Sequence, residues 1–516
     1  MRPAQTEFSP TDGHPQRWGI LAIMCSCLIL VVAGVSSLNI AIPSIIDALE
    51  PSSTQTLWIV DGYALVFAGL LLPAGAIGDR YGRKGALLSG LAMFVGGALW
   101  AAWASDATAL ILARGSMGVG AAFIMPATLS IIISVFPLRE RAKAIGVWAG
   151  FAGAGGAIGI VAGGALLENY WWGSVFLINV PIAIAAAVLI AAVVPTSRDE
   201  NETPLDVVGS LLSIAGLGSL VYAIIEGGEA GWTEGSTIGW FVAAAVFLTG
   251  WVLWELRTPN ALLDPRLFRR IPFGLGSLTI IAAFAVMFGM FFIITQYFQF
   301  VQGHGPLSAG LRNLPFATTM LIVAPFSSTV AGRFGKRYTM VLGLALQVIG
   351  FVVMSQLDVE TAYGVAALGM VLMAGGMALL MPAASEAIVS SVPPSKAGVG
   401  SAWNDSTREI GGALGIAVMG TLLASGYRSS IEDSASGFGE EAAESIEEGI
   451  GPTLRIAAEE QSPELAVAAQ DAFIDGLSLA FTTAAVVGVV IGLLVLVRYP
   501  RRGFEPAAVT EEQAAV

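Results

Sequence analysis

The sequence predicts an all-α integral membrane protein with fourteen transmembrane helices. Three observations predict it. Of 516 residues, 55% are hydrophobic and only 12% are charged, about half the charge that a soluble chain carries. The mean hydropathy is +0.76. The apolar residues also fall into runs of roughly 20, the length at which a helix crosses about 30 Å of hydrocarbon.

In chain order the runs are 18–41, 57–77, 86–104, 108–133, 144–166, 175–194 and 206–225. They continue with 237–256, 273–296, 312–332, 339–357, 363–389, 398–424 and 472–497. The first is too long, and too poor in a small-residue cleavage site, for a removable signal peptide.

Orientation follows from Lys and Arg, which are enriched in cytoplasmic loops. With the N-terminus inside, the inner segments hold "GDRYGRK" (78–84), "FPLRERAK" (136–143), "LDPRLFRR" (263–270) and "GRFGKR" (332–337). Lys396 and "RYPRR" (498–502) also lie inside. Together with Arg2, Arg17, Arg198 and Arg257, that places twenty of the 25 basic residues in the cytoplasm. An even span count therefore puts both termini there, in a cell membrane. An impermeant thiol reagent tests this. A cysteine at 445 is expected to label from outside and one at 336 is not; the reverse result would reject the topology.

Much of the net charge of −13 sits in 430–471, which includes "GEEAAESIEEG" (439–449). This segment is expected on the outer side, where its acids either solvate a loop or concentrate cations. Cys25 and Cys27, two apart on one helix, point to different sides and make neither a metal site nor a useful disulfide. His14 and His304 lie outside the membrane runs. Proton chemistry in the membrane thus falls to carboxylates. No basic-aromatic patch suggests nucleic acid, no catalytic constellation suggests an enzyme, and neither a cofactor nor an obligate protein partner is expected.

The run 144–166 contains a second puzzle. "GAGGAIG" (153–159) looks like a dinucleotide fingerprint, but that motif must follow a strand and open a soluble helix. Neither condition holds here. Read as a helix, Gly155, Gly159 and Gly163 fall at i, i+4 and i+8. They make a ridge without side chains, against which another helix can pack closely.

Ionisable residues inside the membrane are functional candidates by default. These are Asp61, Arg114, Asp405, Arg408 and Glu409, with Glu386 nearer a helix end. Asp405 and Glu409, four apart, share a helix face. A carboxylate out of water favours its neutral form, so it can take up a proton or hold an organic cation, but not both. That competition is antiport. Arg408 offers a second reading, in which it only neutralises Asp405. Arg114 needs polar company, because an unpaired buried guanidinium is costly. The aromatic run "FGMFFIITQYFQF" (288–300), with Met287 and Met290, suits either an adaptable cavity wall or a lipid face. Pro73, Pro126, Pro181, Pro325 and Pro382 mark possible kinks.

Several stretches resemble the major facilitator superfamily, specifically its fourteen-span drug:proton antiporter branch of the QacA and EmrB type. "GAIGDRYGRKGAL" (75–87), "LILARGSMGVGAA" (110–122) and "GGAIGIVAGGAL" (155–166) are similar to its signatures in the loop after helix 2, in helix 4 and in helix 5. "WIVDGYAL" (58–65), "FLINVPI" (176–182), "GPLSAGLRNLPFA" (305–317) and "AGVGSAWNDSTREIGGALGIAVMG" (397–420) resemble branch-specific stretches. "RFGKR" (333–337) echoes "RYGRK" (80–84), as two related six-helix halves would require.

The resemblance implies the major facilitator fold. A cytoplasmic tail (1–17) precedes an N-terminal six-helix half (18–194). A linker with two extra helices (195–272) follows. A C-terminal half (273–497) then carries an extramembrane loop (425–471), and a cytoplasmic tail (498–516) closes the chain. Gly78, Asp79, Arg80, Gly82, Arg83 and Lys84 would form a conformational latch. Asp61, Arg114, Asp405 and Glu409 would couple protons or bind substrate. The implied function is proton-coupled efflux of lipophilic small molecules; the alternative is transport of a specific metabolite or lipid with different coupling.

Two positions depart from the branch. Gly34 stands where a helix 1 aspartate is usual, and Ile160 where helix 5 usually has proline. Loss of the helix 1 acid from a low-dielectric cavity is expected to favour monovalent or uncharged substrates over dications.

Overall fold

The computed structural model describes residues 13–51, 53–197, 205–229, 231–259, 261–393, 396–435 and 438–500. The sequence-based readings for 1–12 and 501–516, including Arg2 and both distal tails, lie outside these residues, as does Arg198.

Nineteen α-helices make up the described chain. The first five are α1 (Arg17–Leu49), α2 (Ser53–Tyr81), α3 (Arg83–Ala102), α4 (Ala107–Val135) and α5 (Leu138–Leu167). A short α6 (Ser174–Leu177) leads into α7 (Asn179–Val193). Next come α8 (Val207–Glu229), α9 (Gly235–Glu255) and α10 (Ile271–Gln296), the last ending in a π-helical turn at Tyr297–Val301. One broken span follows, made of α11 (Pro306–Arg312), α12 (Leu314–Val323), a 3-10 turn at Ala324–Phe326 and α13 (Ser327–Phe334). The rest are α14 (Lys336–Met354), α15 (Tyr363–Ser390), α16 (Ala397–Ala435), α17 (Glu440–Glu448), α18 (Ile450–Glu459) and α19 (Pro463–Arg498).

Thirteen segments are long and apolar enough to cross a membrane, counted on the described residues. The sequence predicts fourteen. The remaining run is α5, whose 30 residues extend about 45 Å.

The prolines act differently according to context. Pro73, Pro126 and Pro382 lie inside unbroken helices, whereas Pro325 sits in the 3-10 turn that interrupts its span. Proline removes one backbone donor, and neighbouring helices shield the gap from lipid.

The loop boundaries change. The sequence ends one span at 424 and starts the last at 472, with an extramembrane loop over 425–471. Instead α16 runs to Ala435 and α19 begins at Pro463. Hydropathy marks where a helix leaves lipid, not where it stops. Ala, Glu, Arg and Ser sustain a helix in water without an apolar face. α17 and α18 fold back against these extensions, where Tyr427 Oη and Thr453 Oγ1 are 2.7 Å apart. The shared hydroxyl contact and buried Ile446, Ile450 and Leu465 tie the acidic segment down.

The same packing recurs in two places along the chain. α1 lies on α5 and α3 on α4, while α10 lies on α16 and α14 on α15. Small residues allow each approach. A Cβ on Gly90 would stand 2.8 Å from the Gly120 carbonyl oxygen, and one on Gly343 would stand 2.6 Å from that of Gly376. Gly82 (φ 115°) joins α2 to α3, and Gly335 (φ 84°) joins α13 to α14. Both turns need a conformation that side chains resist. α8 packs on α2 and α16, and α9 packs on α8.

Candidate transport site

The turns rich in Lys and Arg gather at one end of the bundle, here termed the basic end. Asp79, on the last turn of α2, accepts hydrogen bonds from Gly398 N (2.9 Å) and Val399 N (3.2 Å) at the start of α16. A helix start has free N–H groups and a partial positive charge, so a carboxylate is stable there. Arg83 Nε donates at 2.9 Å to Asp79 Oδ1, the oxygen that also accepts from Gly398 N, and the ion pair is 5% and 6% exposed. The backbone N–H of Arg83 donates to Ser197 O. Lys84 Nζ donates to Ala191 O near the end of α7. Arg80 lies 5.3 Å over the ring of Tyr81. A Cβ on Gly78 would make only an ordinary contact with Ala86.

Glycines let α2 and α16 approach closely beside Asp79. A Cβ on Gly75 would lie 2.6 Å from Gly398 O, and the reciprocal distance is also 2.6 Å. The sequence gives no signal that these two glycines face each other. A second seam runs between α5 and the broken span, where a Cβ on Gly146 would lie 2.7 Å from Ala324 O. Nearby, Lys336 pairs with Glu386 at 3.0 Å. Arg17 Nε donates to Glu140 Oε2 at 2.7 Å, and this bond holds the Glu140 carboxyl below the usual carboxylate range.

Deeper in the bundle, Arg114 of α4 is fully buried. Its Nε donates to Ile59 O at 3.1 Å and Nη2 to Val60 O at 3.4 Å. The guanidinium lies 4.4 Å over the Tyr63 ring. Among the described residues its company includes the backbone and an aromatic face of α2. The side chain of Asp61, two residues before Tyr63, lies outside the described residues.

Asp405 and Arg408 form an ion pair at 3.4 Å on α16, both buried. The pairing matches the neutralising arrangement, yet Arg408 reaches further. Its guanidinium lies 4.4 Å from the ring of Trp148 on α5 and 5.4 Å from Phe284 on α10. Trp148 is the residue that sequence reading missed; an apolar run gives no sign of which aromatic will meet a cation. Glu409, partly buried, stands within electrostatic range of Tyr63 and Arg408. Arg114 of α4 and the charged residues of α16 therefore share an interior with the aromatic side chains of Tyr63 (α2) and Trp148 (α5). Ser130 Oγ of α4 also reaches Ser401 Oγ of α16 at 3.3 Å.

The glycine ridge of α5 faces α1. A Cβ on Gly159 would lie 2.5 Å from Ala33 O, one on Gly155 3.0 Å from Val32 Cβ, and one on Gly163 3.1 Å from Ser37 Cβ. At Gly34 the nearest atom to a Cβ is Phe94 Cζ at 3.5 Å, on α3, an ordinary contact, while its neighbour Ala33 faces α5. The run after Gly289 is mixed: Met290 is buried, whereas Phe292 and Phe300 are exposed.

Residues 24–416 match the Major Facilitator Superfamily. The chain is 34% identical over 499 residues to the multidrug efflux pump LfrA of Mycolicibacterium smegmatis, covering 93% of this chain and 97% of that protein. It is 31% identical to the tetracenomycin C resistance and export protein of Streptomyces glaucescens, covering 96% and 93% respectively. The crystal structure of the human organic anion transporter MFSD10 aligns with a TM-score of 0.60 at 14% identity, covering 93% of this chain and all of that one. At that identity the likeness is one of fold.

Proposed function

Because this chain belongs to the Major Facilitator Superfamily and is similar along its length to multidrug efflux pumps, we propose that it is a proton-coupled exporter of amphipathic organic compounds. It sits in the cell membrane with both termini in the cytoplasm, and α5 is its fourteenth span. Residues 18–194 and 273–497 form two halves that rock about a midplane site, with the linker 195–272 supplying the extra pair α8 and α9. The basic end is cytoplasmic.

One observation carries this reading: buried charges of both signs converge from helices of both halves. Arg114 and Tyr63 come from the first half, and Asp405, Arg408 and Glu409 from the second. An acid at such a junction exchanges a proton for substrate as the halves alternate, because one site cannot hold both. The latch residues Gly78, Asp79, Arg80, Gly82, Arg83 and Lys84 hold the basic end shut while the other side is open.

The test is transport in everted vesicles with an imposed proton gradient. Asp61→Asn and Glu409→Gln are each expected to reach the membrane and to lose gradient-driven efflux by at least tenfold, while gradient-independent substrate exchange persists. Full gradient-driven activity in both variants would remove these acids from the coupling step.

A further inference from the structure

Arg408 makes fewer bonds than its position demands. A guanidinium carries five N–H donors in one plane, and buried donors are almost always bonded. The Arg408 side chain is 4% exposed. Asp405 Oδ1 stands at 3.4 Å as its ion-pair partner, with Glu409 in electrostatic range, and none of Nε, Nη1 and Nη2 has a hydrogen-bond partner among the described residues. Both rings that approach it, Trp148 and Phe284, do so within cation–π range. Rings satisfy the guanidinium's charge and leave its N–H edge unbonded. Trp148 is fully buried, and its Nε1 also lacks a partner among the described residues. Two donor groups from opposite halves of the molecule are therefore buried together with no hydrogen-bonded acceptor among the described residues, and the neighbouring Asp405 carboxylate, in ion-pair contact through Oδ1, leaves its Oδ2 unbonded there.

We propose that Arg408 and Trp148 form a substrate subsite for an aromatic oxyanion: a planar ring system bearing a carboxylate or an ionised enol or phenol oxygen. Such a group offers lone pairs in the guanidinium plane, where Arg binds two oxygens at once, while the ring system stacks beside Trp148 and Phe284. Aromatic cations without an oxygen acceptor gain nothing from these donors. The inference rests on the export function proposed above and narrows its substrates. It also joins the halves, because Trp148 lies on α5 and Arg408 on α16. A substrate seated there touches both sides of the moving junction.

The experiment compares two probes in everted vesicles containing the full-length protein. Ethidium is an aromatic cation without an oxygen acceptor, and 4,5-dihydroxyanthraquinone-2-carboxylate is a planar oxyanion. Wild type is expected to transport both. Arg408→Lys keeps the charge and loses the planar fork, so the ratio of oxyanion to ethidium transport should fall about tenfold, the loss of one charge-assisted bond. Trp148→Phe keeps a ring and removes one donor; the same ratio should fall about threefold. If Arg408→Lys does not reach the membrane, the Trp148→Phe ratio and displacement of ethidium by the oxyanion decide.

Unchanged ratios in both variants would overturn the subsite. So would wild-type protein that moves ethidium but neither moves nor binds the oxyanion. Wild type that moves neither probe under a proton gradient would instead reject the export function itself.

Discussion

Gly159→Leu is expected to abolish transport and to reduce folded protein in the membrane severalfold, whereas Gly156→Leu keeps both within about twofold. The difference is one of geometry. A Cβ at 159 would stand 2.5 Å from Ala33 O and 2.7 Å from Ala33 Cα. Those are backbone atoms of α1 and cannot rotate away, so α1 and α5 must separate along their contact. Overpacking of this kind costs about 1–3 kcal/mol. Each ångström of separation also weakens the dispersion contacts that hold helices together where lipid provides no hydrophobic drive. At 156 the nearest atom is Ser36 Oγ at 3.4 Å, the end of a side chain that can turn. Extraction into mild detergent, followed by the monodisperse yield and efflux from vesicles, separates the cases. Equal tolerance of both substitutions would show that α5 does not depend on this contact.

Asp79→Ala is expected to slow transport at least tenfold at normal membrane levels and to open the basic end. Asp79 links α2 to the start of α16 through two backbone N–H groups and is itself held by Arg83. Removal takes away an N-cap, worth about 0.5–2 kcal/mol, and breaks a buried ion pair, a loss of about 3–5 kcal/mol. The two α16 hydrogen bonds exist only in the state in which α2 and α16 touch, whereas the Asp79–Arg83 pair, four residues apart, does not require α16. A differential loss of about 1.4 kcal/mol alters a two-state ratio tenfold. A cysteine at Ser401, fully buried beside Ser130, should therefore react faster with a soluble thiol reagent in the Asp79→Ala background. Asp79→Asn keeps an acceptor for α16 but not the charge for Arg83, and should fall between. An unchanged labelling rate with full transport would mean that the α2–α16 contact does not control the cycle.

How much of this was legible beforehand varied with the physics involved. The helices were, because 20-residue apolar runs have few alternatives in lipid. Asp79 could be singled out with the rest of "GDRYGRK", but not the helix that it meets. The relation between the turns at 82 and 335 showed in "RYGRK" and "RFGKR", and both glycines adopt positive φ. The boundaries of α16 and α19 were not legible, since hydropathy reports on solvent and not on hydrogen bonding. The orientation of Gly34 was not legible either. A one-residue step rotates a helix position by about 100°, enough to turn it from α5 toward Phe94 of α3.

The sequence by itself determined that the chain is a multi-pass helical membrane protein and which charged residues its apolar runs contain. These follow from local quantities: run length, composition and spacing along one helix. Only the tertiary structure decided that Asp79 meets α16, that Gly75 meets Gly398, and that Arg408 lies against Trp148 and not solely against its neighbour Asp405. Each of these contacts joins residues more than 200 positions apart. Their pairing is set by how whole helices pack, and helix packing in lipid depends on shape summed over many residues and not on any short stretch.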